Sequence, residues 1–378
     1  MALLTKAIKG TADITGKDSY KWQNVERILL QTAQNFGFSE VRFPTIEHTE
    51  LFVRSVGDTT DVVQKEMYTF ADKGGRSVTM RPEGTAGAMR LALENGLLND
   101  ALPLKMCYLS SCFRYESPQE GRLREFHQFG VEAVGGALPL LDAEVILLAD
   151  KIFKWFGLQN VQLFINSIGC KECRRSFTDA LVEFFSAKKD TLCPTCLARL
   201  DKNPMRILDC KSPVCGEVSK DAPNCLDYIC DECSDHFEGV KAYLSAAGVA
   251  YTINPRIVRG LDYYTKTVFE FVSSSLGAQN TLCAGGRYDG LIENLGGAPT
   301  PAVGFGMGLE RLIMTLERQG RFLGELKCPD IFIASIGEKA RLKAFTLTNI
   351  LRENGSYAEC DCMNRSLKAQ MKYAVSRH

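Results

Sequence analysis

Three arginines, Arg114, Arg122 and Arg124, sit close together in FRYESPQEGRLREF. Guanidinium groups stay charged and can grip two oxygens at once, so such a cluster suits a polyphosphate. Strand alternation puts Met106, Tyr108, Ser110, Cys112, Arg114 and Glu116 on one face of KMCYLSSCFRYE. It puts Phe126, Gln128, Gly130 and Glu132 on one face of FHQFGVEAVG. Charges in the middle of a sheet are costly unless paired or ligand-bound. An ion pair of Arg114 with Glu116 or Glu132 would meet that cost without a ligand. The loop SPQEGRLRE turns at Pro118 and Gly121 and adds Gln119.

Other segments carry matching chemistry. VTMRPEGTAGAMRLAL reads as a strand ending at Pro82 and a helix starting near Thr85, with Glu83 at the turn. A carboxylate there caps the helix dipole or receives an ammonium, and the cap is the simpler reading of composition. RGLDYYTKTVFEF places Arg259 at a strand end, ahead of Asp262, Tyr263 and Tyr264, where cation–π packing would account for it. In CAGGRYDGL, Gly285 and Gly286 allow close backbone approach beside Tyr288. AVGFGMGLERLIMTLE alternates Gly304, Gly306 and Gly308, leaving one strand face bare enough for a flat base. Arg311 follows in the first turn of the next helix as a phosphate-directed charge. The spacing is not GxGxxG and no dinucleotide fold precedes it, which argues against a Rossmann site.

The positioning elements follow from periodicity. Residues 18–36 form an amphipathic helix, and SEVRFPTIE after Gly37 reads as a strand. Strands recur near 67–71, 77–81, 104–115, 126–134, 161–166, 255–259 and 267–273, with helices at 85–95, 140–156 and 308–319. Hairpin-linked strands with flanking helices give an α+β class on a mostly antiparallel sheet. From about 168 to 252 the composition changes to a helical, cysteine-rich insertion. After residue 325, strand, helix, strand and helix alternate through residue 374, as in a small parallel α/β domain.

The 45 Lys and Arg balance 45 Asp and Glu, so a nucleic acid would be met by local basic patches and not by a whole-molecule field. No apolar run reaches membrane-spanning length and no secretory leader is evident, so a cytoplasmic location is expected. Of the 15 cysteines, Cys107, Cys112 and Cys283 read as core residues. The insertion holds Cys170/Cys173, Cys193/Cys196 and Cys230/Cys233 as CxxC pairs, with Cys210, Cys215 and Cys225 between them. Such pairs are a zinc signal. The 16 residues of RRSFTDALVEFFSAKK would form a helix of ~24 Å, which sets Cys170/Cys173 apart from Cys193/Cys196. Spacing leaves Cys210, Cys215 and Cys230/Cys233 as alternative partners for the first pair, and leaves a metal-free insertion open.

FRYESPQEGRLREFHQFGVEAVG resembles motif 2 of class II aminoacyl-tRNA synthetases in the form found in histidyl-tRNA synthetases. RGLDYY is similar to the signature peptide of that family, AVGFGMGLER to motif 3, and, more weakly, the first helix with VRFPTIE to motif 1. The resemblance runs from KGTADI to about residue 374. It implies a catalytic domain over residues 1–325 with the 168–252 insertion within it, and a partial anticodon-binding domain over 326–378. It implies activation of histidine by ATP with Mg²⁺, transfer to tRNA(His), and a homodimer. In its terms Arg114 and Arg259 are catalytic. Arg114, Glu116, Arg124, Phe126 and Arg311 bind ATP, while Glu83, Thr85, Gln128, Glu132, Tyr264 and Tyr288 bind histidine. Gln119 and Arg122 belong to a loop facing tRNA. One rival is a non-catalytic, histidine-sensing regulatory paralogue of ATP phosphoribosyltransferase, which would not need the phosphate-directed arginines. A second is a zinc-dependent nucleic-acid-binding protein.

Overall fold

The computed structural model describes residues 5–58, 60–208, 210, 212–257, 261–275 and 280–377. The chain divides into two units, Met1–Leu323 and Gly324–His378. In the first, the strands are β1 (Ser39–Glu40), β2 (Ile46–His48), β3 (Tyr68–Ala71), β4 (Ser77–Met80), β5 (Leu104–Phe113), β6 (Glu125–Val134), β7 (Val161–Ser167), β8 (Thr252–Ile253), β9 (Thr265–Ser273), β10 (Thr281–Arg287) and β11 (Ala302–Gly308). Its helices are α1 (Ser19–Asn35), α2 (Thr49–Val56), α3 (Thr85–Glu94), α4 (Pro139–Trp155), α5 (Lys171–Ser186), α6 (Pro194–Leu200), α7 (Pro213–Ser219), α8 (Asp231–Ala246), α9 (Leu291–Asn294) and α10 (Leu309–Arg318).

An eight-stranded sheet runs in the order β1-β5-β6-β11-β10-β9-β7-β8. Its two outer pairings, β1 with β5 and β7 with β8, are parallel, and the inner ones are antiparallel. A smaller sheet, β2-β4-β3, adjoins the helix α3 region. The α+β class read from hairpins and flanking helices is what the chain adopts. SEVRFPTIE is two short strands, because Pro44 interrupts it and donates no ladder bond. The strand expected at 255–259 lies earlier, at Thr252–Ile253, and Pro255 stops it. Residues 258 and 259 are outside the described residues.

The alternation in β5 and β6 decides which face is core. Cys107, Phe129, Val131 and Ala133 are buried against Val25, Leu29 and Ala33 of α1 and Ile146, Ala149 and Ile152 of α4. The residues between them point to the opposite face, which carries the site. Beyond β7 the insertion begins with α5. Phe177, Leu181 and Phe185 of α5 pack with Leu200, Met205 and Ile207 in a cluster that also takes in Met106 and Tyr108 of β5.

One buried ionic group ties the sheet to the helices behind it. Arg287 at the end of β10 is fully buried and donates from Nε to both Asp142 oxygens of α4 at 3.1 Å, from Nη1 to Asp289 at 3.0 Å and to the Gly136 carbonyl at 3.0 Å. His236 of α8 places Nε2 3.3 Å from Asp142. Burial pushes the Asp142 carboxyl up. The His236 hydrogen bond and the Arg287 charge together outweigh it and leave the group below its ordinary value.

The second unit pairs β12 (Ile331–Ile333) in parallel with β13 (Ala358–Cys360), connected by α11 (Glu338–Glu353) and followed by α12 (Leu367–Ser376). That is the alternation read from sequence. Gln370 of α12 is buried and brackets Ser335, accepting from its amide at 2.9 Å and donating to its carbonyl at 2.8 Å.

Removing one partner of a buried ion pair leaves the other uncompensated. Arg287→Met is therefore expected to cost ~3–5 kcal/mol of stability at neutral pH in urea unfolding. Because the folded Asp142 carboxyl is depressed, its contribution is present above the unfolded value and lost as pH falls. The deficit of the variant should accordingly shrink in acid. A deficit that is small and independent of pH would contradict the role given to this group.

Candidate functional site

The site occupies a cleft of about 450 Å³ on the face of the sheet opposite α1 and α4. Its walls come from the turn before α3, the β5–β6 hairpin, the 261–264 segment, the start of β10, and the β11–α10 junction. The register of β6 builds most of it. Glu132 lies across from Met106 on one side and Gly304 on the other, while Gln128 faces Ser110 and Gly308.

Three of the predicted cations reach the cleft: Arg114, Arg122 and Arg311. Arg114, just beyond β5, donates to the Pro82 carbonyl at 2.8 Å, and its guanidinium carbon lies 5.3 Å from the centre of the Phe126 ring. Arg311 donates to the carbonyls of Gly121 at 2.8 Å and Thr281 at 2.9 Å. Backbone carbonyls thus aim both groups at the cleft. Burial, then the neighbouring charges of Arg122 and Arg114, lower the Arg311 guanidinium from its ordinary value. A bound polyanion would relieve that repulsion.

The ion pair imagined for Arg114 forms elsewhere. Glu116 pairs with Arg122, and both border the cleft; Arg122 is the residue read with Gln119 as part of a loop facing tRNA. Gln119 is exposed and pairs its backbone with that of Arg122. Arg124 is not on the cleft wall. Its guanidinium stacks on Tyr115 at 3.9 Å, and its Nε donates to the Glu116 carbonyl at 3.1 Å. Arg259 lies outside the described residues.

Glu83 takes the capping position and also borders the cleft. Its two carboxylate oxygens accept from the amides of Thr85 at 2.7 Å and Ala86 at 2.8 Å at the start of α3, and burial raises its carboxyl. Thr85, Gln128 and Tyr264 share the same wall. Gln128 accepts from the Gly84 amide at 3.3 Å.

Glu132 and Tyr288 lie one layer deeper. Glu132 is fully buried, accepts from Tyr108 Oη at 2.9 Å and is hydrogen-bonded by Tyr288 Oη. Burial raises its carboxyl to about 8, against hydrogen bonds from Tyr288, Thr85 and Tyr108. The glycines make room for this layer. A Cβ on Gly304 would stand 2.1 Å from Glu132 Oε2, and one on Gly306 would stand 2.2 Å from Gln128 Nε2. The bare strand face expected to floor a flat base is thus filled by site side chains at Gly304 and Gly306. At Gly308 the space is open.

Two contributors carry no role in the sequence reading. Tyr108 shares the alternation face of Glu132, and Gly84 and Gly130 are needed so that its ring can pass. Glu310 of α10 borders the cleft and accepts from the backbone amide of His127 at 2.9 Å. The alternation pattern was signal enough for Tyr108; a neighbouring Leu-Glu-Arg at a helix start gave none for Glu310. Away from the cleft, two groups of four cysteines are the candidate metal ligands among the described residues, and Cys170/Cys173 joins Cys230/Cys233, not Cys210 or Cys215.

The family model for histidyl-tRNA synthetase matches residues 10–312. The chain belongs to the histidyl-tRNA synthetase family. It is 56% identical over 369 residues to histidine–tRNA ligase of Clostridium novyi, covering 98% of this chain and 88% of the relative. To the ligase of Caldanaerobacter subterraneus it is 53% identical over 372 residues, covering 98% and 89%. Among solved structures, apo histidyl-tRNA synthetase of S. aureus superposes with a TM-score of 0.82 at 38% identity, covering 99% of this chain and 89% of that one. An ATP phosphoribosyltransferase regulatory subunit/histidyl-tRNA synthetase of Bacillus halodurans shares the fold, at a TM-score of 0.68 and 22% identity over 99% of this chain and 97% of that one. Identity above one half to ligases along nearly the whole chain favours the histidyl-tRNA synthetase reading over the regulatory paralogue. No described helix is long and apolar enough to cross a membrane.

The buried Glu132 carboxyl gives a pH signature. Its folded value of about 8 exceeds its ordinary 4.5, so the folded protein holds an extra proton between them and loses stability as pH rises through that window. Glu132→Gln cannot titrate there. Urea unfolding of the two proteins at several pH values should give a stability difference that changes by up to ~1.4 kcal/mol per pH unit across the window. Parallel stability curves would remove Glu132 from this account.

Proposed function

We infer that the cleft binds ATP and histidine side by side and joins them as histidyl-adenylate before transfer to tRNA(His). The observation that carries this reading is that a single cleft is lined by Arg114, Arg122 and Arg311 together with Glu83, Thr85, Gln128 and Tyr264. Cations gather where triphosphate would lie, and acceptors gather where an amino acid would.

In the first step a histidine carboxylate oxygen attacks the α-phosphorus, a new O–P bond forms, and the bond to the bridging oxygen breaks as pyrophosphate leaves. In the second, a terminal ribose hydroxyl of tRNA attacks the acyl carbon, AMP leaves with the electrons of the acyl–oxygen bond, and the hydroxyl proton passes to the departing phosphate or to solvent. No enzyme nucleophile is needed. Arg114, with Arg259, would stabilise charge growing at the α-phosphate, and pre-aligned reactants supply the rest. Mg²⁺ accompanies ATP and neutralises phosphate charge. Arg311 and Glu116 belong to the phosphate end, with Phe126 against the base and the open space over Gly308 bordering it, while Arg124, off the cleft wall, would have to leave Tyr115 to reach the outer phosphates.

Histidine would place its ammonium toward Glu83 and Thr85, and its ring toward Gln128 and Tyr264. Glu132 and Tyr288 lie behind that wall, so they would select the imidazole either through Gln128 and Tyr264 or by side-chain motion on binding. An imidazole offers a donor on one ring nitrogen and a donor or acceptor on the other. Gln119, on the exposed loop tip, faces the acceptor end of tRNA. The unit from Gly324 to His378 would read the anticodon, with the chain acting in the cytoplasm as a homodimer. A structural metal in the cysteine-rich insertion accompanies this reading.

Histidine-dependent exchange of labelled pyrophosphate into ATP tests the first step directly. Arg114→Ala should lower the exchange rate ~10²- to 10³-fold. Glu132→Ala should chiefly raise KM for histidine and leave that for ATP near its starting value. Histidine binding without exchange in the unaltered protein would sink the ligase reading and favour a sensor.

A further inference from the structure

Eight of the nine cysteines in the insertion gather into two groups of four. Cys170, Cys173, Cys230 and Cys233 form one, and Cys193, Cys196, Cys210 and Cys215 the other, with the sulfurs of each group within 4.8 Å of one another. The Cys170 and Cys173 sulfurs are 3.5 Å apart, and those of Cys193 and Cys210 are 3.9 Å apart. Four thiolates held by zinc at ~2.3 Å stand ~3.8 Å from one another along the edges of a tetrahedron. All are free thiols in the structure. The ninth, Cys225, behaves as a buried core thiol, donating to the Ser167 carbonyl at 3.4 Å.

Three further observations point the same way. Backbone amides are directed at the sulfurs: Cys230 N–H at Cys173 Sγ (3.1 Å), Cys193 N–H at Cys215 Sγ (3.2 Å) and Ser212 N–H at Cys210 Sγ (3.5 Å). Such bonds favour the charged form that binds metal. In the first group, Cys170 and Cys230 are the residues that precede α5 and α8, so each CxxC pair straddles the amide end of a 16-residue helix, where negative sulfur is favoured. Each group also pairs two buried cysteines with two that are less buried, which leaves an edge for an ion to enter. Exposed Glu172, 3.1 Å from Cys170 Sγ, would give up that bond once the thiol loses its proton.

We propose that each group holds one structural zinc ion. Soft thiolates in a four-sulfur set suit this metal, and a set of four protein ligands leaves no position for a reacting molecule. The two ions have different tasks. The first joins the point where the chain enters the insertion, after β7, to the point where it turns back along α8. Arg174, next to Cys173, donates from Nη1 to the carbonyls of Asp262 at 3.2 Å and Tyr264 at 2.9 Å. The first site is thus linked to a wall of the cleft through Arg174, the residue after Cys173. The second gathers α6, residue 210 and α7, short elements at the other end of α5, ~24 Å along that helix. Arg199 of α6 pairs there with Asp61 at 3.0 Å.

The test is a metal count on the full chain purified without chelator, by plasma mass spectrometry. Two zinc ions per chain are expected. Cys230→Ser with Cys233→Ser should keep one, Cys196→Ser with Cys215→Ser should keep one, and all four substitutions together should keep none. A zinc-free protein whose thiols all react freely, or whose intact mass reports disulfides, overturns the proposal; a single ion lost only with one pair overturns its second site. If the substituted chains fail to fold, the unaltered chain still decides. Its zinc count, and the thiolate-to-metal absorption of the cobalt(II)-exchanged protein, need no variant. None of these readouts depends on aminoacylation, so failure here is separable from failure of the ligase reading.

Discussion

The site depends on the register of β6 between β5 and β11. Side chains alternate with a period of two, so a slip of one residue would turn Gln128, Gly130 and Glu132 into the core and bring Phe129, Val131 and Ala133 to the cleft. Both neighbours pin the strand. On the β11 side, the missing side chains of Gly304 and Gly306 leave the volume that Glu132 and Gln128 occupy. On the β5 side, the Tyr108 ring fits over Gly130. Side chains and missing side chains are therefore specified together, and the apolar contacts of α1 and α4 on the opposite face hold the same register from behind.

A second constraint is electrostatic. Arg114 and Arg311 are aimed by carbonyls, and Arg122 by Glu116, so the cation wall is assembled before any anion arrives. Burial first, and then the neighbouring Arg122 and Arg114, lower the Arg311 guanidinium from its ordinary value. Glu132 shows the same effect in a carboxyl, kept largely protonated near neutral pH by burial. Burial thus disfavours charge both at Arg311 on the cleft wall and at Glu132 behind it. Preorganisation of this kind is what lets charge be stabilised without rearrangement during reaction.

Much of this was legible in the chain. Alternation alone separated the faces of β5 and β6, because each face repeats one chemical character for several residues. Helix α5 was read well enough to keep Cys170/Cys173 apart from Cys193/Cys196. What was missed has a common physical origin in contacts between segments distant in sequence. The pairing of Arg122 with Glu116 depends on how a loop folds back. The filling of the glycine face by Glu132 depends on a neighbour some 170 positions away. The Arg287–Asp142–His236 group joins three elements, none of which looks charged in its core by periodicity. Cys230/Cys233 could be matched to Cys170/Cys173 only once α5 and α8 had both been placed.

Arg174 carries a consequence beyond its two hydrogen bonds. It belongs to the insertion, and the carbonyls it holds belong to the segment that presents Tyr263 and Tyr264 to the cleft. A ligand that favours one arrangement of those tyrosines must also favour one seating of α5, and by thermodynamic reciprocity anything that seats α5 favours the ligand in equal measure. The wall carrying Tyr263 and Tyr264 and the cysteine-rich segment are in that sense coupled, with one guanidinium as the joint between them.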